Sequence, residues 1–309
     1  MQHARRFSPS ILTRLLFLIL AVLLAATKGR AEEGLPVYRG LEADVAFWER
    51  IFTKYTPNHC VFHDKEDLAT VYGVAKLPAA SQVAQSRLAK RYLSVLRGAL
   101  DWLANGGAPR NKLERIIVQS TPPEQRVPAY FRAAVDRVRC QRGVDLMTSI
   151  ERSRPHVRMV KRILRQKKLP PDLAHLPHLE SGYHTRARSH VGAVGLWQFM
   201  PATARQYGLR VSRRHDARTV PQEATVAAAT YLRDLYGRTG SWPLAITAYN
   251  YGPNGIMRAI KAYGRDYMKI RTNHKTKIFG FASRNYYPSF LAVRNIAERI
   301  IKGDDLAAD

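Results

Sequence analysis

The sequence predicts a mostly α protein, on three observations. Apolar residues recur at three- and four-residue steps through most of the chain, alternating β-type runs are nearly absent, and proline and glycine stand at the borders of the periodic segments. With 309 residues, 46% of them hydrophobic, the chain can bury a sizeable core, and no low-complexity run or internal repeat is visible.

At the N-terminus, Arg5, Arg6 and Arg14 accompany twelve apolar residues from Leu15 to Ala26, and the small residues Gly29 and Ala31 suit a cleavage site. Residues 1–31 are therefore expected to be a secretory signal peptide, which places the protein in the periplasm or cell envelope. The apolar run is shorter than the roughly 20 residues that span a bilayer, and an uncleaved membrane anchor is the alternative. No cysteine precedes Cys60, so a lipid-modified N-terminal cysteine is not expected.

Helical patterns then follow in order. Val45, Trp48, Phe52 and Tyr55 form one stripe; Leu88, Tyr92, Val95 and Trp102, with Leu96, Leu100 and Leu103, form a longer one that stops at Gly106-Gly107. Further helices are predicted over roughly 128–142 and 156–168, so residues 32–164 read as an N-terminal helical region. From Leu169 the helices become shorter. Pro171 suits a first helical position, and Leu173, Leu176 and Glu180 share a face. Pro177 predicts that this helix is kinked or begins late. A loop from Gly182 to Gly195 precedes a short helix from Pro201 to Gly208, an alanine-rich helix from Pro221 to Tyr236, another from Pro243 to Asn250, and a terminal helix reaching about Ile301. Residues 165–301 form the expected second region and 302–309 a tail.

The formal charge is +26, and residues 1–31 hold five Lys/Arg and no Asp/Glu, which leaves +21 on the mature part. Such a field attracts polyanions, and for an exported protein these are anionic envelope surfaces. Nucleic acid is not expected, because no helix-turn-helix, RNP or zinc-finger spacing is present. Cys60 and Cys140 are the only cysteines; an even number in an oxidising compartment predicts a disulfide, with two separate buried thiols as the alternative. His175 and His178 lack a third ligand at recognised spacing, so neither metal nor other cofactor is expected.

Glu180 stands at a helix end on a face shared with leucines. A carboxyl among apolar neighbours keeps its proton to higher pH, and the acid form is what protonating a glycosidic oxygen requires. Around it in sequence lie Ser181, the loop Ser189-His190-Val191-Gly192-Ala193-Val194-Gly195-Leu196-Trp197-Gln198, the turn Ala248-Tyr249-Asn250-Tyr251-Gly252 and the block Phe279-Gly280-Phe281-Ala282-Ser283-Arg284-Asn285-Tyr286-Tyr287. Together with Leu169-Pro170-Pro171-Asp172-Leu173, these motifs resemble, in order, the lytic transglycosylase domain of the lysozyme-like superfamily, and the last block is similar to its membrane-bound lytic transglycosylase D branch.

The resemblance implies a lysozyme-like helical catalytic domain. It also implies cleavage of the β-1,4 bond between N-acetylmuramic acid and N-acetylglucosamine in peptidoglycan, with a 1,6-anhydro product. Glu180 matches the family's catalytic acid, and Ser189, Gln198, Tyr249 and Asn250 match positions that hold or line the glycan. Each also has a plainer reading. Ser189 could form a turn, Gln198 could satisfy loop backbone, Tyr249 could fill core and Asn250 could cap a helix. Trp197 and Phe199 could stack on sugar or pack in the core. The match departs from the usual pattern at Thr185, where many relatives carry proline. Two other functions stay open: a hydrolase in which Asp216, Glu223 or Asp234 serves an attacking water, and a non-catalytic cationic wall-binding protein.

Overall fold

The computed structural model describes residues 35–79, 81–301 and 303. The expected signal peptide and all of the 302–309 tail except Gly303 lie outside the described residues. Among those described, no helix is long and apolar enough to cross a membrane.

The chain is mostly helical, and most helix borders have a local cause. In order it forms α1 (Glu42–Thr53), β1 (His59–Asp64), β2 (Val71–Lys76), α2 (Gln82–Ala104), α3 (Lys112–Ser120), α4 (Pro128–Arg137), β3 (Val138–Arg142) and α5 (Leu146–Gln166). After a 3-10 turn at Pro171–His175 come α6 (Leu176–Ser181), α7 (Pro201–Gln206), α8 (Pro221–Thr239), α9 (Trp242–Tyr251), α10 (Pro253–Tyr263), α11 (Tyr267–Asn273) and α12 (Phe281–Ile301). The Ser81, Asn111 and Asp145 side chains each accept a first-turn N–H of α2, α3 and α5. Proline occupies the first turn of α4 and of α6 through α10.

The main core draws on both ends of the described residues. α12 packs against α1 and α9, while α8 lies on α9 and α5. Tyr287, Phe290, Leu291 and Val293 of α12 are fully enclosed, and Ala224, Ala227 and Ala228 let α8 approach its neighbours closely. Asp44 of α1 pairs with Arg271 of α11, which ties these two helices together.

A smaller second core lies between a three-stranded antiparallel sheet, in the order β2-β1-β3, and helices α2, α3 and α4. The sheet and these helices form an arm, with Cys60 on β1 joined to Cys140 on β3 by a disulfide. The sheet differs from the sequence reading, and β1 shows why. Val61 belongs to the main core while Cys60 and Phe62 belong to the smaller one, so both faces are buried and no polar alternation marks the strand. The helix predicted over 128–142 ends at Arg137, and the chain continues as β3. The phase of α2 also differs. Leu96, Leu100 and Leu103 are buried with Ala89 and Ala99, whereas Tyr92, Val95 and Trp102 are exposed. Trp102 is covered instead by the Arg110 guanidinium, 3.7 Å from its ring centre.

Candidate active site

Glu180 reaches its position through a deliberate break. Pro177 prevents one continuous helix from Pro171, so the 3-10 turn ends at His175 and α6 starts at Leu176. α6 lasts six residues and closes on Gly182 in the left-handed conformation (φ +56°). Two buried histidines anchor the turn and helix from behind. His175 Nε2 donates to Glu298 Oε1 of α12 at 2.9 Å, and His178 Nδ1 lies 2.7 Å from the Ser149 hydroxyl of α5. The Lys161 ammonium of α5 joins Glu298 at 2.7 Å. His175 Nε2 and His178 Nδ1 therefore serve helix packing.

The Glu180 carboxyl is half-buried and accepts a hydrogen bond from the Tyr286 hydroxyl of α12. Burial pushes its pKa up to about 7, against the opposing pull of that hydrogen bond. Desolvation, with the Glu180 charge nearby, holds Tyr286 and Tyr249 well above the ordinary tyrosine range, so both phenols stay protonated. Tyr249 donates to the Trp197 carbonyl at 2.7 Å. A carboxylic acid beside two neutral phenols can donate a proton near neutral pH.

The 189–199 loop packs against the end of α6. Ser181 Oγ donates to the Leu196 carbonyl at 2.9 Å, which ties the end of α6 to the loop. Ser189 Oγ accepts from Ala193 N at 2.9 Å, and Gln198 Nε2 donates to the Gly195 carbonyl at 2.9 Å. Both side chains thus brace the loop. Gly195 has φ +83°, and a Cβ there would strike the Arg218 carbonyl, so the close approach requires glycine. Arg218 is buried; its guanidinium donates to the Gly192 and Phe199 carbonyls and pairs with Asp216 at 2.8 Å. Trp197 and Phe199 are core residues, and Trp197 Nε1 donates to Thr225 Oγ1 at 3.0 Å. Ser283 Oγ of α12 donates to Asn250 Oδ1 of α9 at 3.0 Å.

Residues 159–270 match the family model described as "Transglycosylase SLT domain". Over 152 residues the chain is 31% identical to the "Putative tributyltin chloride resistance protein" of Alteromonas sp. (strain M-1), covering 49% of this chain and 70% of that one. The chain belongs to the transglycosylase SLT family. It is also 32% identical, over 151 residues, to "Membrane-bound lytic murein transglycosylase D" of Escherichia coli (strain K12). That match covers 47% of this chain and 32% of the relative, so the chain spans about a third of the relative's length. Among solved structures, the 70 kDa soluble lytic transglycosylase of Escherichia coli aligns at 21% identity with a TM-score of 0.42, covering 73% of this chain and 32% of that one.

Glu180, the 189–199 loop and the Tyr249–Asn250 turn all fall inside the matched SLT segment, whereas Tyr286 lies beyond it. Tyr286 lies within the 279–287 block, but nothing local in the sequence shows that its hydroxyl meets a residue 106 positions earlier. Nothing in the sequence but the nearby Asp216 points to Arg218. The three acids considered for a hydrolytic water are engaged elsewhere or exposed. Asp216 is held by Arg218, Asp234 accepts from Tyr207 at 3.1 Å, and Glu223 faces solvent.

Proposed function

We propose that this SLT protein is a peptidoglycan lytic transglycosylase that cuts the N-acetylmuramic acid to N-acetylglucosamine β-1,4 bond without water and acts in cell-wall remodelling. The observation that carries the reading is the single carboxyl of Glu180, protonated to about pH 7 by burial beside a tyrosine donor. Glu180 gives its proton to the glycosidic oxygen as the C1–O bond breaks. The resulting carboxylate, held by the Tyr286 hydroxyl, takes the proton of the muramic 6-hydroxyl. That oxygen closes onto C1, leaving a 1,6-anhydro end and a reprotonated Glu180.

Glycosidases with an external nucleophile or water ordinarily need two carboxylates. Here the nucleophile belongs to the substrate, which fits a site whose other nearby acids are already paired or exposed. Tyr249 and Asn250 line the glycan path on one side. Ser189 and Gln198 shape it on the other by fixing the loop, in keeping with their bonds to loop backbone. The catalytic unit is the 165–301 region, buttressed by α1 and α5, whose apolar faces belong to the same core. Export to the envelope accords with the N-terminal sequence and with the strong positive charge, which suits an anionic wall.

Mass spectrometry of muropeptides released from purified sacculi tests the reading. Wild-type protein should yield 1,6-anhydro-muramic ends and Glu180→Gln none. Reducing muramic ends would assign a hydrolase, and the absence of any release would leave a wall-binding protein.

A further inference from the structure

A cavity of about 510 Å³ opens beside the site, within the roughly 300–1,000 Å³ range of ligand pockets. On its catalytic side lie Gly182, Asn250 and Tyr286. Because Tyr286 also donates to Glu180, the cavity begins one hydrogen bond from the reacting carboxyl. Another part of its wall is built by Trp48 of α1 and by Arg139 and Gln141 of β3. These three residues lie outside the 159–270 segment that matches the SLT family, so this wall belongs to the arm and to α1.

Arg139 sets the character of this wall. Its guanidinium lies 3.7 Å over the Phe281 ring, its Nε has no hydrogen-bond partner, and among the described residues no carboxylate pairs with it. Desolvation holds its pKa below the ordinary arginine range. Keeping an unpaired cation in such a place is costly. The neighbouring groups do not balance it: Arg137 pairs with Asp64 at 2.8 Å, and burial keeps His63 neutral with a pKa lowered to about 4. The cavity's own carboxylate, Asp145, is occupied as the α5 N-cap, accepting from the Thr148 N–H and hydroxyl.

We propose that this cavity is a subsite for the lactyl-peptide branch of the muramic residue, with Arg139 binding a carboxylate of that branch. The inference rests on the transglycosylase reading. A strand seated with its scissile oxygen at Glu180 must send that branch away from the glycan axis, and the cavity is the adjoining space. A carboxylate on a flexible arm supplies the counter-charge that Arg139 lacks, as a charge-assisted and bidentate pair.

The test is calorimetric binding to the full-length Glu180→Gln protein. The probes are GlcNAc-MurNAc-tetrapeptide, the same muropeptide with its carboxylates amidated, and GlcNAc-MurNAc with a free lactyl carboxylate. Amidation should weaken binding about tenfold or more, the range of one charged hydrogen bond. Arg139→Gln should weaken the free-acid muropeptide by a similar factor and erase the amidation difference, and Arg139→Lys should restore part of it. In the muropeptide the lactyl carboxyl is tied up as the amide to the stem, so the acid–amidated contrast reports stem carboxylates. Sensitivity of the disaccharide to Arg139→Gln would add a free lactyl carboxylate as a second ligand of Arg139, and insensitivity would restrict the site to the stem. Equal affinity for the acid and amidated muropeptides overturns the proposal, as does failure of all three probes to bind. Neither outcome depends on how the Arg139 variants fold. Loss of the transglycosylase reading would appear separately, as absent anhydro products from the wild type.

Discussion

Replacing Glu180 by Gln should make the protein more stable, and only at higher pH. In the unfolded chain the carboxyl has its ordinary pKa of 4.5; in the fold burial raises this to about 7. Between those values the folded state holds a proton that the unfolded state has released, so wild-type stability falls as pH rises through that window. The gap corresponds to about 3 kcal/mol, fully expressed once pH exceeds the folded value. Gln keeps the shape and still offers Tyr286 an acceptor, but it has no charge to desolvate. Urea denaturation of both proteins at pH 4 and pH 8.5 should therefore show little difference in the first buffer and a Glu180→Gln advantage approaching 3 kcal/mol in the second. Wild-type activity should decline over the alkaline side of the same transition, as the acid form is lost. A stability difference independent of pH would refute a carboxyl held protonated by its surroundings.

Tyr286→Phe removes the one hydrogen bond that lowers the Glu180 pKa, so the alkaline limb of the pH–rate profile should move upward from about 7 while kcat falls about tenfold; an unmoved limb would break the link between the two residues. Gly195→Ala should cost more than 2 kcal/mol in urea denaturation, because a Cβ meets the Arg218 carbonyl as well as the left-handed backbone, whereas Gly208→Ala, at φ +85° with open space around it, should cost only about 1 kcal/mol. Reducing the Cys60–Cys140 bridge, which closes an 80-residue separation, should destabilise the arm by about 4 kcal/mol in the chain-entropy account. Hydrogen exchange should then show lost protection in α2 ahead of α8 and α9, which belong to the other core.

Much of the helical pattern was legible in the sequence because its causes are local. Proline at the first turn of successive helices and glycine at their ends mark borders that a short window of residues reveals. The family motifs were legible for a similar reason, since each is a contiguous run whose glycines and polar tips build one loop or turn. Leu96, Leu100 and Leu103 of the α2 stripe face the core as expected, but alanines complete that face, so Tyr92, Val95 and Trp102 turn outward and Arg110 from a later loop lies over Trp102. The strands went unread because a strand buried by two different cores carries no alternation, and its partner β3 directly continues a helix.

Residue type and order alone established a cationic, mostly helical chain with an acid at a helix end beside glycine-rich turns. They could not show what surrounds that acid. Whether Glu180 holds a proton at neutral pH depends on Tyr286 arriving from the last helix and on how completely the packed helices exclude water, and Arg139 faces the same cleft only because the sheet folds back over α12. Desolvation and charge pairing act through space over a few ångströms, between groups as far apart in the chain as Glu180 and Tyr286, 106 positions, so only the folded arrangement decides them.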